Sequence, residues 1–235
     1  MFTTLMYHLV DDEIVDPMSI SVAQLTAQLS WLAATGVRCI SLREAVDLLE
    51  RGEPMRERRA LLTFDDGYRN TIHTVLPLLE RFAAPALLAV CSSYVLPALR
   101  PKVMPHASQD FADTADLARW LESGRDVAGH SYSHAKLTVA TDDELAWQVK
   151  ADKRLLERAL GDSLRAFVYP YGSVDARVRA VLAGEYALAF TDERGQHPRA
   201  GDSFMLRRLR VRPEWSSDHF ATMVQKELES CAAET

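Results

Sequence analysis

Residues 61–68 read Leu61-Leu62-Thr63-Phe64-Asp65-Asp66-Gly67-Tyr68: an apolar run that delivers two adjacent carboxylates and then a glycine. A short apolar run closed by a turn residue reads as a buried strand, and the glycine permits a sharp exit. In barrels and open α/β sheets the carboxyl end of a strand is where chemistry is placed. Successive residues of an extended segment point in opposite directions, so the two carboxylates can hold different jobs. One can ligate a metal while the other accepts a proton. Taken alone, Asp-Asp-Gly is an ordinary Asp-Gly turn with a solvated second aspartate.

A second stretch changes that reading. Asp126-Val127-Ala128-Gly129-His130-Ser131-Tyr132-Ser133-His134 is again strand-like and ends in two histidines four residues apart. On a helical turn, positions i and i+4 face the same way, so the spacing predicts that both imidazoles reach one ion. Two histidines and a carboxylate make three protein ligands with room left for water. That is the composition of a catalytic zinc site rather than a closed structural one.

Strand-like and helical segments alternate on both sides of these stretches. Strands are expected at Phe2–His8, Val37–Ile40, Ala86–Cys91, Ala166–Tyr169, Tyr186–Phe190 and Met205–Val211, with a polar loop over 10–20. Ser21-x-x-Gln24, Ser41-x-x-Glu44 and Thr141-x-x-Glu144 look like capping boxes that open helices. Further helices are expected over 69–82, 113–122, 174–183 and 218–230. Pro77 falls inside the first of these, where a proline kinks or splits a helix. The proline-bearing stretch 92–110 reads as a long loop. This alternation, with about seven or eight strands, argues for parallel β-structure flanked by helices. Periodicity leaves a closed barrel and an open sheet both standing.

At 235 residues the chain suits one domain, 1–235, and at 48% hydrophobic residues it can bury a sizeable core. A net charge of -6 argues against nucleic acid or an anionic membrane as the main partner. No run reaches transmembrane length. Cys39, Cys91 and Cys231 are dispersed and odd in number, which fits reduced thiols in the cytoplasm. A secreted chain trimmed of its leader would read the same way.

Thr63-Phe64-Asp65-Asp66-Gly67, His130-Ser131-Tyr132-Ser133-His134 and Phe167-Val168-Tyr169-Pro170-Tyr171-Gly172 together resemble the ordered motifs of the polysaccharide deacetylases (the carbohydrate esterase family 4 type, with a chitooligosaccharide-deacetylase homology domain). Tyr7-His8 and Leu206-Arg207-Arg208-Leu209-Arg210-Val211 resemble elements of the branch that holds the poly-N-acetylglucosamine deacetylases. The resemblance implies a distorted (β/α) barrel and a metal-dependent hydrolase that removes an N-acetyl group from an amino sugar or glycan. It implies Asp66, His130 and His134 as metal ligands and Asp65 as the base that takes a proton from metal-bound water. The backbone N–H of Tyr171 is expected to share the oxyanion with the ion. Zinc is the default ion for such a set, and cobalt, nickel or manganese also suit it.

Two departures stand out. Many family members carry an arginine at the position of Val168, paired with the catalytic aspartate; Arg208 is the candidate replacement, with a surface basic cluster of Arg207, Arg208 and Arg210 as the plainer alternative. The C-terminal Leu-x-His element that usually supplies the acid is also missing, which leaves His8 as the candidate acid. His197 is a poorer one, and His73, His106 and His219 have no motif around them. The expected partner is a carbohydrate: polymer, or a nucleotide- or lipid-linked intermediate. Three other readings stand beside it: a lipid-linked amino-sugar deformylase, a degenerate metal-containing carbohydrate-binding domain, and a Mg²⁺ phosphoryl-transfer enzyme. The two histidines disfavour the last, because Mg²⁺ prefers oxygen ligands.

Overall fold

The computed structural model describes residues 2–14, 16–51, 57–102, 110–195, 197 and 202–232. His106 and residues 52–56, where the helix after Ser41 was expected to end, lie outside them. In chain order the elements are β1 (Thr3–Tyr7), β2 (Leu9–Val10), β3 (Ser19–Ile20), α1 (Val22–Ala34), β4 (Arg38–Cys39), α2 (Leu42–Arg51), β5 (Arg59–Phe64), α3 (Leu76–Arg81), β6 (Ala86–Val90), α4 (Ser92–Val95), α5 (Thr114–Glu122), β7 (Asp126–Gly129), α6 (Asp142–Ala146), α7 (Asp152–Leu160), β8 (Ala166–Val168), α8 (Ala176–Ala183), β9 (Leu188–Phe190), β10 (Leu209–Arg210) and α9 (Ser217–Ala232).

Eight strands form one sheet in the order β10-β1-β5-β6-β7-β8-β9, with β4 beside the start of β5. Its pairings are parallel throughout. A parallel bridge between Phe190 and Leu206 joins β9 to the segment that runs on into β10. The two edges therefore meet through residues 206–210, and the sheet is the distorted (β/α) barrel expected above.

Alternation along the strands sorts side chains into two cores. Leu5, Leu62, Phe64, Leu88, Val127 and Phe167 pack outward, in one cluster with Leu25, Leu29, Leu76, Leu156 and Val224 of the surrounding helices. Leu61, Leu87, Ala89, Ala128, Val168 and Phe190 fill the interior, together with Leu42, Ala45 and Val46 of α2. The α2 start is tied to the beginning of β7 by the Leu42 N–H on Asp126 Oδ2, 3.1 Å away. That helix therefore closes the amino end of the barrel and leaves the carboxyl end for the site. By the same alternation the interior phase of β5 ends on Asp65, that of β1 on His8 and that of β7 on His130.

Several expectations need correction. The 10–20 loop is bounded by a small parallel pair, with Leu9–Val10 against Ser19–Ile20. These strands are two residues long, too short for any alternation to show in the sequence. The 69–82 helix begins as a wide π-turn over Thr71–Val75. Pro77 then sits in the first turn of α3, where its missing N–H costs little. The helix after Thr141 likewise carries a π-turn, Trp147–Ala151, between α6 and α7. The 92–110 stretch opens with α4 and a short 3₁₀ turn at Pro97–Leu99. No helix among the described residues is long and apolar enough to cross a membrane.

Ser21 and Gln24 form a full capping box: the Gln24 N–H reaches Ser21 Oγ at 3.1 Å and the Ser21 N–H reaches Gln24 Oε1 at 2.9 Å. Ser21→Ala should lower stability by about 1 kcal/mol and the melting temperature by roughly 2–4 °C in thermal unfolding. An unchanged melting temperature would mean that α1 is held by its packing alone.

Candidate active site

Asp65 and Asp66 leave the end of β5 in different directions because the chain turns sharply between them. Asp66 has φ 75° and Gly67 φ 80°, both left-handed. A side chain at Gly67 would meet Val90 and Val95 at 3.0 Å, so glycine is required there by both backbone and space. The turn swings the Asp66 carboxylate towards β7, where Oδ1 lies 3.5 Å from His130 Nε2 and 3.4 Å from His134 Nε2.

The two histidines do converge, with ring centroids 4.8 Å apart, but not through a helical turn. Ser131 at φ 66° and His134 at φ 56° fold 131–134 into a tight left-handed loop. That loop is pinned from outside: the Tyr132 N–H donates to Gln148 O at 2.9 Å, the Ser133 N–H donates to Gln148 Oε1 at 3.1 Å, and Tyr132 O accepts the Ser93 N–H at 3.0 Å.

The donor set fits a divalent ion. One ligand atom from each of Asp66, His130 and His134 lies within 4.8 Å of the others. His130 Nδ1 is 2.7 Å from Val168 O. A carbonyl only accepts, so Nδ1 carries a proton and Nε2 is the nitrogen turned towards Asp66 and His134. Burial and the neighbouring His130 push His134 down to about 4, which favours the neutral ring that metal binding requires. Burial raises the Asp66 carboxyl, but the imidazoles of His130, His8 and His134 around it outweigh that and hold it well below the usual aspartate range.

Asp65 points into the barrel and meets Arg208. The guanidinium Nη1 lies 2.8 Å from Asp65 Oδ1 and 3.1 Å from Thr63 Oγ1, while Nε donates to Thr191 O at 2.8 Å. Arg208 is 1% exposed, so this is an interior ion pair. Burial pushes the Asp65 carboxyl up, yet Arg208, His8 and His130 together hold it below the usual aspartate range. On the other oxygen, Oδ2, His8 Nε2 stands 3.9 Å away.

The Tyr169–Gly172 turn forms the opposite lip. Tyr171 takes φ 57° and its ring packs edge-on against His134 at 4.5 Å between centroids. The ring is otherwise exposed. His197 stands elsewhere: its Nδ1 accepts the Arg207 N–H at 3.1 Å, Nε2 faces Thr4 Oγ1 at 3.3 Å, and its ring leans on Phe2. His73 pairs with Asp116 on the surface at 2.9 Å.

Two contributors escape a sequence reading. Thr63, inside the motif itself, passes its hydroxyl hydrogen to Leu5 O at 3.0 Å and accepts from Arg208. Asp152, on α7, is fully buried beneath the site; it accepts the Ser92 N–H at 2.9 Å, and burial pushes its carboxyl up to about 7. Its signal was its place on the apolar stripe of Leu145, Val149 and Leu156, where a charged residue needs a reason.

A family model described as polysaccharide deacetylase matches residues 52–185. The poly-beta-1,6-N-acetyl-D-glucosamine N-deacetylase of Escherichia coli K12 is 34% identical over 96 residues, 40% of this chain but only 14% of that protein. Among solved structures, the Streptococcus pyogenes deacetylase PplD in complex with acetate superposes with a TM-score of 0.84 at 20% identity, covering 95% of this chain and 97% of its own. IcaB from Ammonifex degensii does so with a TM-score of 0.81 at 24% identity, covering 95% and 97%. At these identities the two structures establish the fold.

The triad geometry predicts one tightly held divalent ion per chain by elemental analysis after dialysis. His130→Ala removes a nitrogen ligand that is already oriented and should weaken metal affinity about 10–100-fold or more. Stoichiometric metal at wild-type affinity in that variant would overturn the assignment.

Proposed function

The chain belongs to the polysaccharide deacetylase family, and on that premise we propose that it is a metal-dependent hydrolase that removes an N-acetyl group from an amino sugar or glycan. Residues 1–235 act as one catalytic domain, since the site draws on β1, β5, β7, β8 and β10. The observation that carries this reading is the Asp65–Arg208 pair at 2.8 Å beside the Asp66–His130–His134 set. A site that merely bound sugar would have no use for an ionised, oriented second carboxylate at that place.

Amide hydrolysis needs an activated water, a sink for charge on the tetrahedral intermediate and a proton for the departing amine. Asp66, His130 and His134 would hold a divalent ion, zinc by default, which would supply Lewis-acid chemistry towards water and the acyl oxygen. Asp65 accepts the proton of the attacking water, and Arg208 keeps it ionised and fixes its oxygen for that task. The Tyr171 backbone N–H, presented by its left-handed turn, donates to the developing oxyanion. His8 gives the leaving amine its proton. Burial lowers the His8 pKa against the pull of Asp65 and Asp66, so its protonated ring is a stronger acid than an ordinary imidazolium.

Asp65→Asn should keep bound metal and the fold while acetate release from N-acetylated oligosaccharides falls by about 10²–10⁴-fold. Activity within threefold of wild type would remove Asp65 from the mechanism, and loss of metal would make it a ligand instead. His8→Ala should slow amide hydrolysis by roughly 10²-fold but spare an activated ester, whose leaving group needs no proton. Equal loss on both substrates would assign His8 to structure or binding.

A further inference from the structure

Beside the catalytic carboxylate, the barrel mouth opens into a second hollow of about 440 Å³ between β10, the residues after β9 and helix α9. Arg208 and Met6 line it. Arg194, Arg210 and Arg212 line it as well, together with Trp215 and His219. In a chain of net charge -6, four arginines around one cavity are a local reversal of sign.

The cavity's positive charge is not all spent on protein partners. Arg208 is committed to Asp65, and Arg194 to Glu227 at 2.6 Å. Arg212 has only a loose contact with Glu214, 3.7 Å apart with both side chains more than half exposed, a pair of little worth in water. Arg210 makes no ion pair or hydrogen bond among the described residues. The carboxylate of Asp192, also on the rim, is turned to the Tyr171–Gly172 turn, where a side chain on Gly172 would collide with it. After burial and the two aspartates, the positive charges of Arg208 and Arg210 both act on the His8 ring. Arg210 thus lies within electrostatic reach of the reacting end of the site. Trp215 and His219, with ring centroids 5.1 Å apart, offer an aromatic wall of the kind that sugar and apolar faces lie against.

We propose that this cavity receives an anionic substituent, a phosphate ester or a carboxylate, carried by the acylated sugar or by the unit next to it, with Arg210 as its main contact and Arg212 as its second. The guanidinium fork suits either oxyanion in a two-point contact. The inference rests on the deacetylase reading for the nature of the sugar and narrows the substrate class to acidic glycans or sugar phosphates.

The test is calorimetric titration of the metal-loaded chain with N-acetylglucosamine, N-acetylglucosamine 1-phosphate and N-acetylmuramic acid. At least one charged probe should bind about tenfold tighter than the neutral sugar, because charge-assisted contacts to arginine are roughly twice as strong as neutral ones. That preference should fall close to unity in R210A, weaken in R212A, survive in part in R210K and shrink as salt is raised. A preference for the phosphate assigns a phosphate ester, and one for the muramic acid assigns a carboxylate. Neutral and charged probes binding within twofold of each other would overturn the proposal. So would a preference retained in R210A, which would place the anion on the metal or on another basic surface. Acetate release is scored separately: a lost preference in R210A without any acetate release sinks the deacetylase reading alone, and acetate release from neutral oligomers without a preference sinks this one alone.

Discussion

The buried Arg208–Asp65 pair is the interaction on which the rest of the structure turns. Two ions taken out of water are costly unless geometry and further hydrogen bonds compensate. Here the guanidinium finds three acceptors, on Asp65, Thr63 and Thr191. Thr63 hands its own hydrogen to Leu5. One side chain therefore ties together β1, β5, the end of β9 and β10, across the seam that the Phe190–Leu206 bridge joins. Breaking such a pair from one side leaves an uncompensated charge at a cost of about 3–5 kcal/mol. The contact that ties the barrel seam is thus also the one that orients Asp65.

Around that anchor the candidate ligands are held by strained backbone. Of the five non-glycine residues with positive φ among those described, Asp66, Ser131, His134 and Tyr171 border the site and only Ala83 lies outside it. Such conformations cost on the order of 1–3 kcal/mol each and persist only where the surroundings over-determine them. Gln148 and Ser93 do so here by bonding the backbone of Tyr132 and Ser133 within the loop, and Asp152 by holding the Ser92 N–H beside it. The site is preorganised by its neighbours rather than by the local preferences of its own residues.

This explains what could be read from the sequence. Parallel strands flanked by helices, the β5 carboxylates and the two histidines were legible in strand patterns and short motifs, whereas the barrel and the Arg208 candidate for the place left by Val168 came from the family resemblance. The helical reading of 130–134 failed because spacing alone cannot reveal two left-handed residues stabilised from another segment. The short β2–β3 pair and both π-turns were illegible for a related reason, since neither leaves a period in the sequence. Arg210 read only as part of a basic cluster; its separate place emerges once the partners of Arg194, Arg208 and Arg212 are known.

The most direct test of the account is acetate release by the metal-loaded chain compared with its Arg208→Met variant, with metal content and folding verified in both. If Arg208 replaces the family's usual arginine as the partner of Asp65, wild type releases acetate in step with new free amine, and the variant keeps its metal but loses roughly 10²-fold or more of its turnover. A folded, metal-loaded Arg208→Met chain that turns over within threefold of wild type would contradict it.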